Sequence, residues 1–196
     1  ESVQRLGVMG GTFDPIHNGH LLLAQFLKEH LSLDRVFFIP AATPPHKAYH
    51  GNSLSPIEER WAMVCTALVG VENFDPSRIE MDRPGKSYTV ETIRELQQQH
   101  PNSELFLLIG ADNIADMESW FEPDEILSLC TVVAGARISP ETPHNPRIAD
   151  RITIINTPIF DISSTEIRNR VNLGRSIRWL VPEKVETYIR DKGLYK

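Results

Sequence analysis

Arg5-Leu6-Gly7-Val8-Met9-Gly10-Gly11-Thr12-Phe13-Asp14-Pro15-Ile16-His17-Asn18-Gly19-His20 is the stretch on which the fold turns. Arg5 to Met9 reads as a short buried strand that ends in the Gly10-Gly11 pair. A helix is predicted from Asn18 to Glu29, with Leu21, Leu22, Ala24 and Phe26 among its apolar positions. A strand that passes through glycines into a helix opens a parallel α/β unit. The glycines let the backbone turn sharply and approach a ligand closely. The helix start adds unpaired N–H groups and a partial positive charge, which together make a seat for phosphate.

The same alternation continues outward. Val36 to Ile39 is a second strand, stopped by Pro40. Ser55-Pro56-Ile57-Glu58 has the form of a capping box with Pro at the first helical position, so a helix is predicted to about Leu68. Arg78 to Met81 reads as a short strand and Tyr88 to Gln99 as a helix. Leu105 to Ile109, five apolar residues before Gly110, is the pattern of a strand covered on both faces. A short helix follows Pro123; Thr131 to Ala136 and Ile152 to Ile155 are strands. Ser163-Ser164-Thr165-Glu166 is a second capping box, opening a helix that stops near Gly174. Pro182 opens the last helix and Gly193 lies just past its end. Thr43 to Ser55 and Arg137 to Arg151, both proline-rich, read as surface loops, the first a candidate flap. The implied fold class is α/β, a Rossmann-like, doubly wound, mainly parallel sheet with helices on both faces, in one domain over residues 1–196. Ligands in such sheets bind beyond the carboxyl ends of the strands, where strand order reverses. The loops after Met9, Ile109 and Ile155 therefore matter most.

Composition narrows the partners. The 196 residues carry 20 Lys and Arg against 26 Asp and Glu, a net charge of −6, so no global attraction to nucleic acid is expected. With 41% hydrophobic and 23% charged residues the chain is of ordinary globular make-up. No apolar run approaches the ~20 residues of a membrane span, and no stretch reads as a signal peptide. Cys65 and Cys130, the only cysteines, make neither a disulfide framework nor a thiolate metal site, and a cytoplasmic location is expected. A homo-oligomer stays open.

Two constellations carry chemistry. His17 and His20 are three apart at a helix start and share a face, so their ring N–H groups are expected to meet one phosphate chain. A Gly-Gly pair is ordinarily just a turn, and a His at a helix start is ordinarily a cap. His-x-x-His is also half a metal site, but no third ligand is evident. In the second constellation, Ile162-Ser163-Ser164-Thr165-Glu166-Ile167-Arg168, capping alone explains Ser163 and Glu166. It leaves Ser164, Thr165 and Arg168 unexplained; Ser164 and Arg168 are four apart on one helical face, and hydroxyls with a guanidinium make a grip on a polyphosphate. Gly85-Lys86-Ser87 lacks the earlier glycine of a P-loop, because position 80 is Glu80, and Gly7, Gly10 and Gly11 do not make G-x-G-x-x-G.

These two segments resemble the paired G-x-F-D-P-x-H-x-G-H and I-S-S-T-x-I-R motifs of the H-x-G-H nucleotidyltransferase superfamily. Within it the chain is similar to the bacterial nicotinate mononucleotide adenylyltransferases, through Pro44-Pro45-His46-Lys47, Ser87-Tyr88-Thr89, Gly110-Ala111-Asp112-Asn113, Ser119-Trp120-Phe121 and Val181-Pro182…Tyr188-Ile189…Leu194-Tyr195. The resemblance spans nearly the whole chain. It implies ATP over Gly10, Gly11, Thr12 and Phe13, with His17, His20, Ile162, Ser163, Ser164 and Arg168 about its phosphates. His17, His20 and Arg168 would be the catalytic groups, and Gly110 and Asp112 would flank the nucleotide ribose and the acceptor. Thr89, Trp120 and Phe121 would receive nicotinate mononucleotide, with Lys47 and Arg137 facing phosphate. The family often has Tyr where this chain has Phe121.

Without the resemblance, Trp120 reads as a core aromatic, Thr89 as a helix cap, and Lys47 and Arg137 as solvated loop charges. His46 divides evenly between phosphate contact and surface. The implied reaction is adenylyl transfer from ATP to the mononucleotide in NAD biosynthesis, with Mg²⁺ on the ATP phosphates, no metal site in the protein and no covalent intermediate. The rivals are phosphopantetheine or nicotinamide mononucleotide adenylyltransferase and a nucleotide-binding sensor without turnover. His17 and the Trp120 segment argue against the first.

Overall fold

The computed structural model describes residues 3–44, 54–136, 148, 150–158 and 160–196. Six parallel strands make one sheet: β1 (Gln4–Gly11), β2 (Arg35–Pro40), β3 (Phe74–Pro76), β4 (Ser103–Gly110), β5 (Thr131–Ala136) and β6 (Thr153–Asn156). Their order is β3-β2-β1-β4-β5-β6, so the winding reverses between β1 and β4. Register is set by Val8 opposite Phe37 on one side and Leu107 on the other.

Period-2 alternation in a doubly covered strand sends apolar residues to both faces. Phe106 and Leu108 of β4 point into one buried cluster, and Leu105, Leu107 and Ile109 into the other. The first face is covered by α1 (Asn18–Leu31), α2 (Ile57–Leu68), α6 (Ser164–Asn172) and α7 (Glu183–Lys192). The second is covered by α3 (Thr89–Gln99), α4 (Asp112–Asp116) and α5 (Pro123–Leu129). A 3₁₀ turn at Met117–Ser119 extends α4.

Two local expectations fail. Arg78 to Met81 is a turn, closed by the Asp82 N–H on the Arg78 carbonyl at 2.9 Å, and the strand lies earlier, at Phe74–Pro76. Pro76 has no N–H to continue the ladder, so this edge strand ends there, and Ile79, 8% exposed, is drawn into the core from a turn. The Ser55 capping box does not form: α2 begins at Ile57 with Pro56 at its N-cap. The Ser55 N–H donates instead to Asp14 Oδ2 at 3.0 Å. Most of the two proline-rich loops lies outside the described residues, but Ile148, expected in a surface loop, is helical and 3% exposed.

Candidate active site

Beyond the carboxyl ends of β1 and β4 lies a cavity of about 880 Å³. It takes its walls from the loops after β1, β4 and β6 and from the start of α6, the position the switch in strand order dictates. Gly10 and Gly11 are not among its lining residues. They complete β1 opposite Ile39 and Pro40 and deliver the chain to Thr12 and Phe13, which do line it.

His17 is the N-cap of α1. Its backbone N–H donates to His20 Nδ1 at 3.1 Å, the contact that Glu makes in an ordinary capping box. The two imidazoles stack, centroids 3.6 Å apart, and Phe13 meets His20 edge-on at 5.0 Å. Because His20 Nδ1 accepts, the neutral ring carries its proton on Nε2. A Cβ on Gly19 would sit 2.9 Å from His17 Cε1, so glycine at this position is what lets the His17 ring lie there. His17 is 5% exposed, and among the described residues its Nδ1 has no hydrogen-bond partner. Burial pushes its pKa down to about 4, and the ring is neutral at pH 7.

The second motif docks onto the first. Ser163 Oγ caps α6 by accepting the Glu166 N–H at 3.1 Å. Ser164 Oγ donates to the Pro15 carbonyl at 2.9 Å, and Arg168 Nη1 to the Asp14 carbonyl at 2.8 Å. His17, His20, Ile162, Ser163, Ser164 and Arg168 thus line one cavity. Arg168, read from the sequence only as a phosphate grip, also braces the turn after β1. Gly110 and Asp112 line the same cavity; a Cβ on Gly110 would lie 2.6 Å from Asp112 Oδ1.

Thr89, Trp120 and Phe121 are not brought to this cavity. Thr89 is the first residue of α3, capped by Tyr88, so Thr89 is not itself the cap. Trp120 and Tyr88 are partly buried against the second core cluster, and the Tyr88 and Phe121 rings lie 4.7 Å apart, with Phe121 47% exposed. Lys47, His46 and Arg137 lie outside the described residues. Thr165, which capping left unexplained, lines the cavity, and the sequence reading missed Thr157, Phe160 and Asn169, which line it too. Thr165 and Asn169 are four apart on α6, a spacing that signals a shared face. No pattern marks Thr157 and Phe160.

A model of the cytidylyltransferase-like family matches residues 8–170, from inside β1 to inside α6, and so takes in both halves of the cradle. The chain belongs to the cytidylyltransferase-like family. This cytidylyltransferase-like chain is 44% identical over 192 residues to a Thermus thermophilus protein named probable nicotinate-nucleotide adenylyltransferase, across 98% of this chain and 100% of that one. It is 41% identical over 200 residues to the Thermomicrobium roseum protein of the same name, across 99% and 92%. Among solved structures, Plasmodium falciparum nicotinic acid mononucleotide adenylyltransferase complexed with NaAD gives a TM-score of 0.81 at 19% identity, over 98% of this chain and 97% of that one. The same protein complexed with APC gives 0.79 at 18% identity, over 98% and 97%. Those two likenesses are of fold.

Proposed function

We propose that this chain transfers the adenylyl group of ATP to nicotinate mononucleotide, giving nicotinate adenine dinucleotide and pyrophosphate, a step of NAD biosynthesis. One observation carries the reading: Ser164 and Arg168, about 150 residues along the chain, hydrogen-bond the Pro15 and Asp14 carbonyls and so come to line the cavity that His17 and His20 share. Relatives over 40% identical along nearly the full chain bear the matching name.

The acceptor's 5′-phosphate is already anionic at neutral pH, so attack on the α-phosphorus needs no strong general base. The difficulty is bringing two anions together and stabilising charge on the phosphoryl oxygens and the pyrophosphate. Fixed donors do this at no reorganisation cost. In this reading His20 donates from Nε2, neutral His17 donates beside it, and Arg168 adds the permanent charge. Ser163 and Ser164 lie at the α6 start, where the helix dipole favours an anion. Thr12 and Phe13 carry ATP past the β1 end, Gly110 and Asp112 meet the ribose, and Thr89, Trp120, Phe121, Lys47 and Arg137 take the mononucleotide.

Nucleotidyltransferases of this family are generally metal-dependent. Among the described residues no three His, Cys, Asp or Glu side chains group as a metal cage. Of the three carboxylates in the cavity lining, Asp14 is taken by Ser55 and Tyr195, and Asp112 and Asp161 are the two that would help hold Mg²⁺ arriving on the ATP phosphates. Once bound, it neutralises phosphate charge. No helix among the described residues is long and apolar enough to cross a membrane; with these substrates we assign the protein to the cytoplasm.

The test is pyrophosphate release from ATP and Mg²⁺ with nicotinate mononucleotide, its amide and phosphopantetheine in parallel. Release with the nicotinate acceptor, and dinucleotide formed in equal amount, is expected. ATP binding without release under any acceptor would reduce the protein to a sensor.

A further inference from the structure

Asp14 lies beneath the turn that joins β1 to α1 and is 4% exposed. Every part of it is held from a different place in the chain. Its Oδ2 accepts the Ser55 N–H at 3.0 Å, its Oδ1 accepts the Tyr195 hydroxyl at 2.5 Å, and its carbonyl accepts Arg168 Nη1 at 2.8 Å. Tyr195 reaches Asp14 from the segment after α7. Gly193, in the left-handed region at φ 64°, turns the chain back, and the Leu194 N–H closes on the Ile189 carbonyl at 3.0 Å. The Tyr195 hydroxyl also touches the Ser55 side chain and lies 3.9 Å from the Met63 sulfur. Burial, with the Asp14 charge beside it, pushes the phenol far up, so it remains a donor throughout the neutral range.

The residue next to Asp14 shows why such a hold is needed. Phe13 sits at φ 50°, a left-handed conformation that a non-glycine side chain keeps only when its surroundings over-determine it. Phe13 and Thr12 are the cavity wall on the ATP side, and the Phe13 ring supports His20.

We propose that Tyr195 is a positioning residue for the nucleotide: its hydrogen bond to Asp14 locks the Thr12–Pro15 turn, and through the Asp14 carbonyl the Arg168 guanidinium, in the shape that receives the ATP phosphates. The proposal rests on the adenylyl-transfer reading, but its first readout does not need turnover. In the intact protein, Tyr195→Phe removes one oxygen and keeps the ring. Calorimetric titration with ATP should show affinity lower by fivefold or more. In turnover, KM for ATP should rise by a similar factor, while KM for nicotinate mononucleotide stays within twofold. Asp14→Asn, which keeps the volume of the side chain, should give the same one-sided split, and the double variant should be little worse than either alone. A merely structural tyrosine would lower the unfolding midpoint and leave the ATP affinity of the folded protein unchanged.

ATP affinity within twofold of wild type in folded Tyr195→Phe overturns the proposal. Should that variant fail to fold, ATP affinity within twofold of wild type in Asp14→Asn overturns it. Wild-type protein that binds ATP but releases no pyrophosphate defeats the adenylyl-transfer reading alone, and the affinity comparison still decides the role of Tyr195.

Discussion

Replacing His17 with Asn should flatten the acid side of the stability curve. His17 is 5% exposed, and burial moves its pKa from 6.5 to about 4. The folded protein therefore holds a neutral ring, whereas the unfolded chain takes up a proton below about pH 6.5. Between about pH 6.5 and 4 the unfolded state binds more protons. The stability tied to His17 is thus present above pH 6.5 and is lost as pH falls through that window. A gap of about 2.5 pH units corresponds to about 3 kcal/mol in all, of which about 2 kcal/mol disappears between pH 7 and pH 5. Asn does not titrate and is a good helix N-cap, so α1 keeps its start. Urea unfolding of both proteins at pH 7 and pH 5 reads the effect by linear extrapolation. Carboxylates elsewhere titrate in both proteins and cancel in the difference. Wild type should lose about 2 kcal/mol more than His17→Asn over this interval. Equal losses would refute the burial of a neutral imidazole, and with it the neutral donor assigned to His17 in catalysis.

His20→Ala should lower kcat by at least about a hundredfold with the fold intact, the scale of one lost preorganised donor; near-normal turnover by a folded variant would remove His20 from the phosphate seat. Gly19→Ala places a Cβ 2.9 Å from the His17 ring while improving helix propensity by up to about 1 kcal/mol. Its activity should therefore fall while its urea midpoint holds, and unchanged kcat would show that the ring position is unimportant. Thr89→Ala should raise KM for the mononucleotide several-fold and leave KM for ATP alone. An ATP defect in steady-state kinetics would move Thr89 to the other half of the site.

The sheet was legible wherever strands lie inside it. β1, β2, β4 and β5 have apolar runs because helices cover both their faces, and each run was read within a residue or two of its bounds. β3 was not, because three residues at a sheet edge, ending in Pro76, carry no periodic signal, whereas the apolar residues of the turn at 78–81 imitate one. The two Ser capping boxes are the sharper lesson. Ser163 caps its helix; Ser55, in the same local pattern, does not, because Asp14 and Tyr195 claim its N–H and its side chain. Local sequence proposes a cap, and a partner 41 residues away decides whether it forms. In the site, His17, His20, Ser164 and Arg168 were visible because a glycine turn, a helix start and i, i+4 spacing are local patterns. Asp14 was visible only as a letter in a motif. Its carboxylate faces away from the local chain, and only tertiary contact shows what it holds.

The proposed phosphate cradle and the folded state therefore share the same bonds. The turn after β1 carries a left-handed Phe13, a conformation that costs on the order of 1–3 kcal/mol unless neighbours hold it. The holding groups include Arg168, Ser164 and Tyr195, from α6 or beyond, together with the Ser55 N–H on Asp14 Oδ2 and Arg60 Nη1 of α2 on the Thr12 carbonyl at 2.8 Å. Each contributes a net hydrogen bond of only about 1 kcal/mol, somewhat more where the partner is charged. The margin that keeps the turn in shape is thus small and shared among several donors. This explains how Arg168 can be spent partly on the Asp14 carbonyl without being lost to the ligand. Nη1 fixes the turn, and Nη2 reaches Thr165 Oγ1 at 3.3 Å, a long contact that a charged phosphate oxygen can outcompete. An anion arriving in the cavity would replace a weak interaction of Arg168 and leave its structural one in place, so binding strengthens the cradle rather than competing with it.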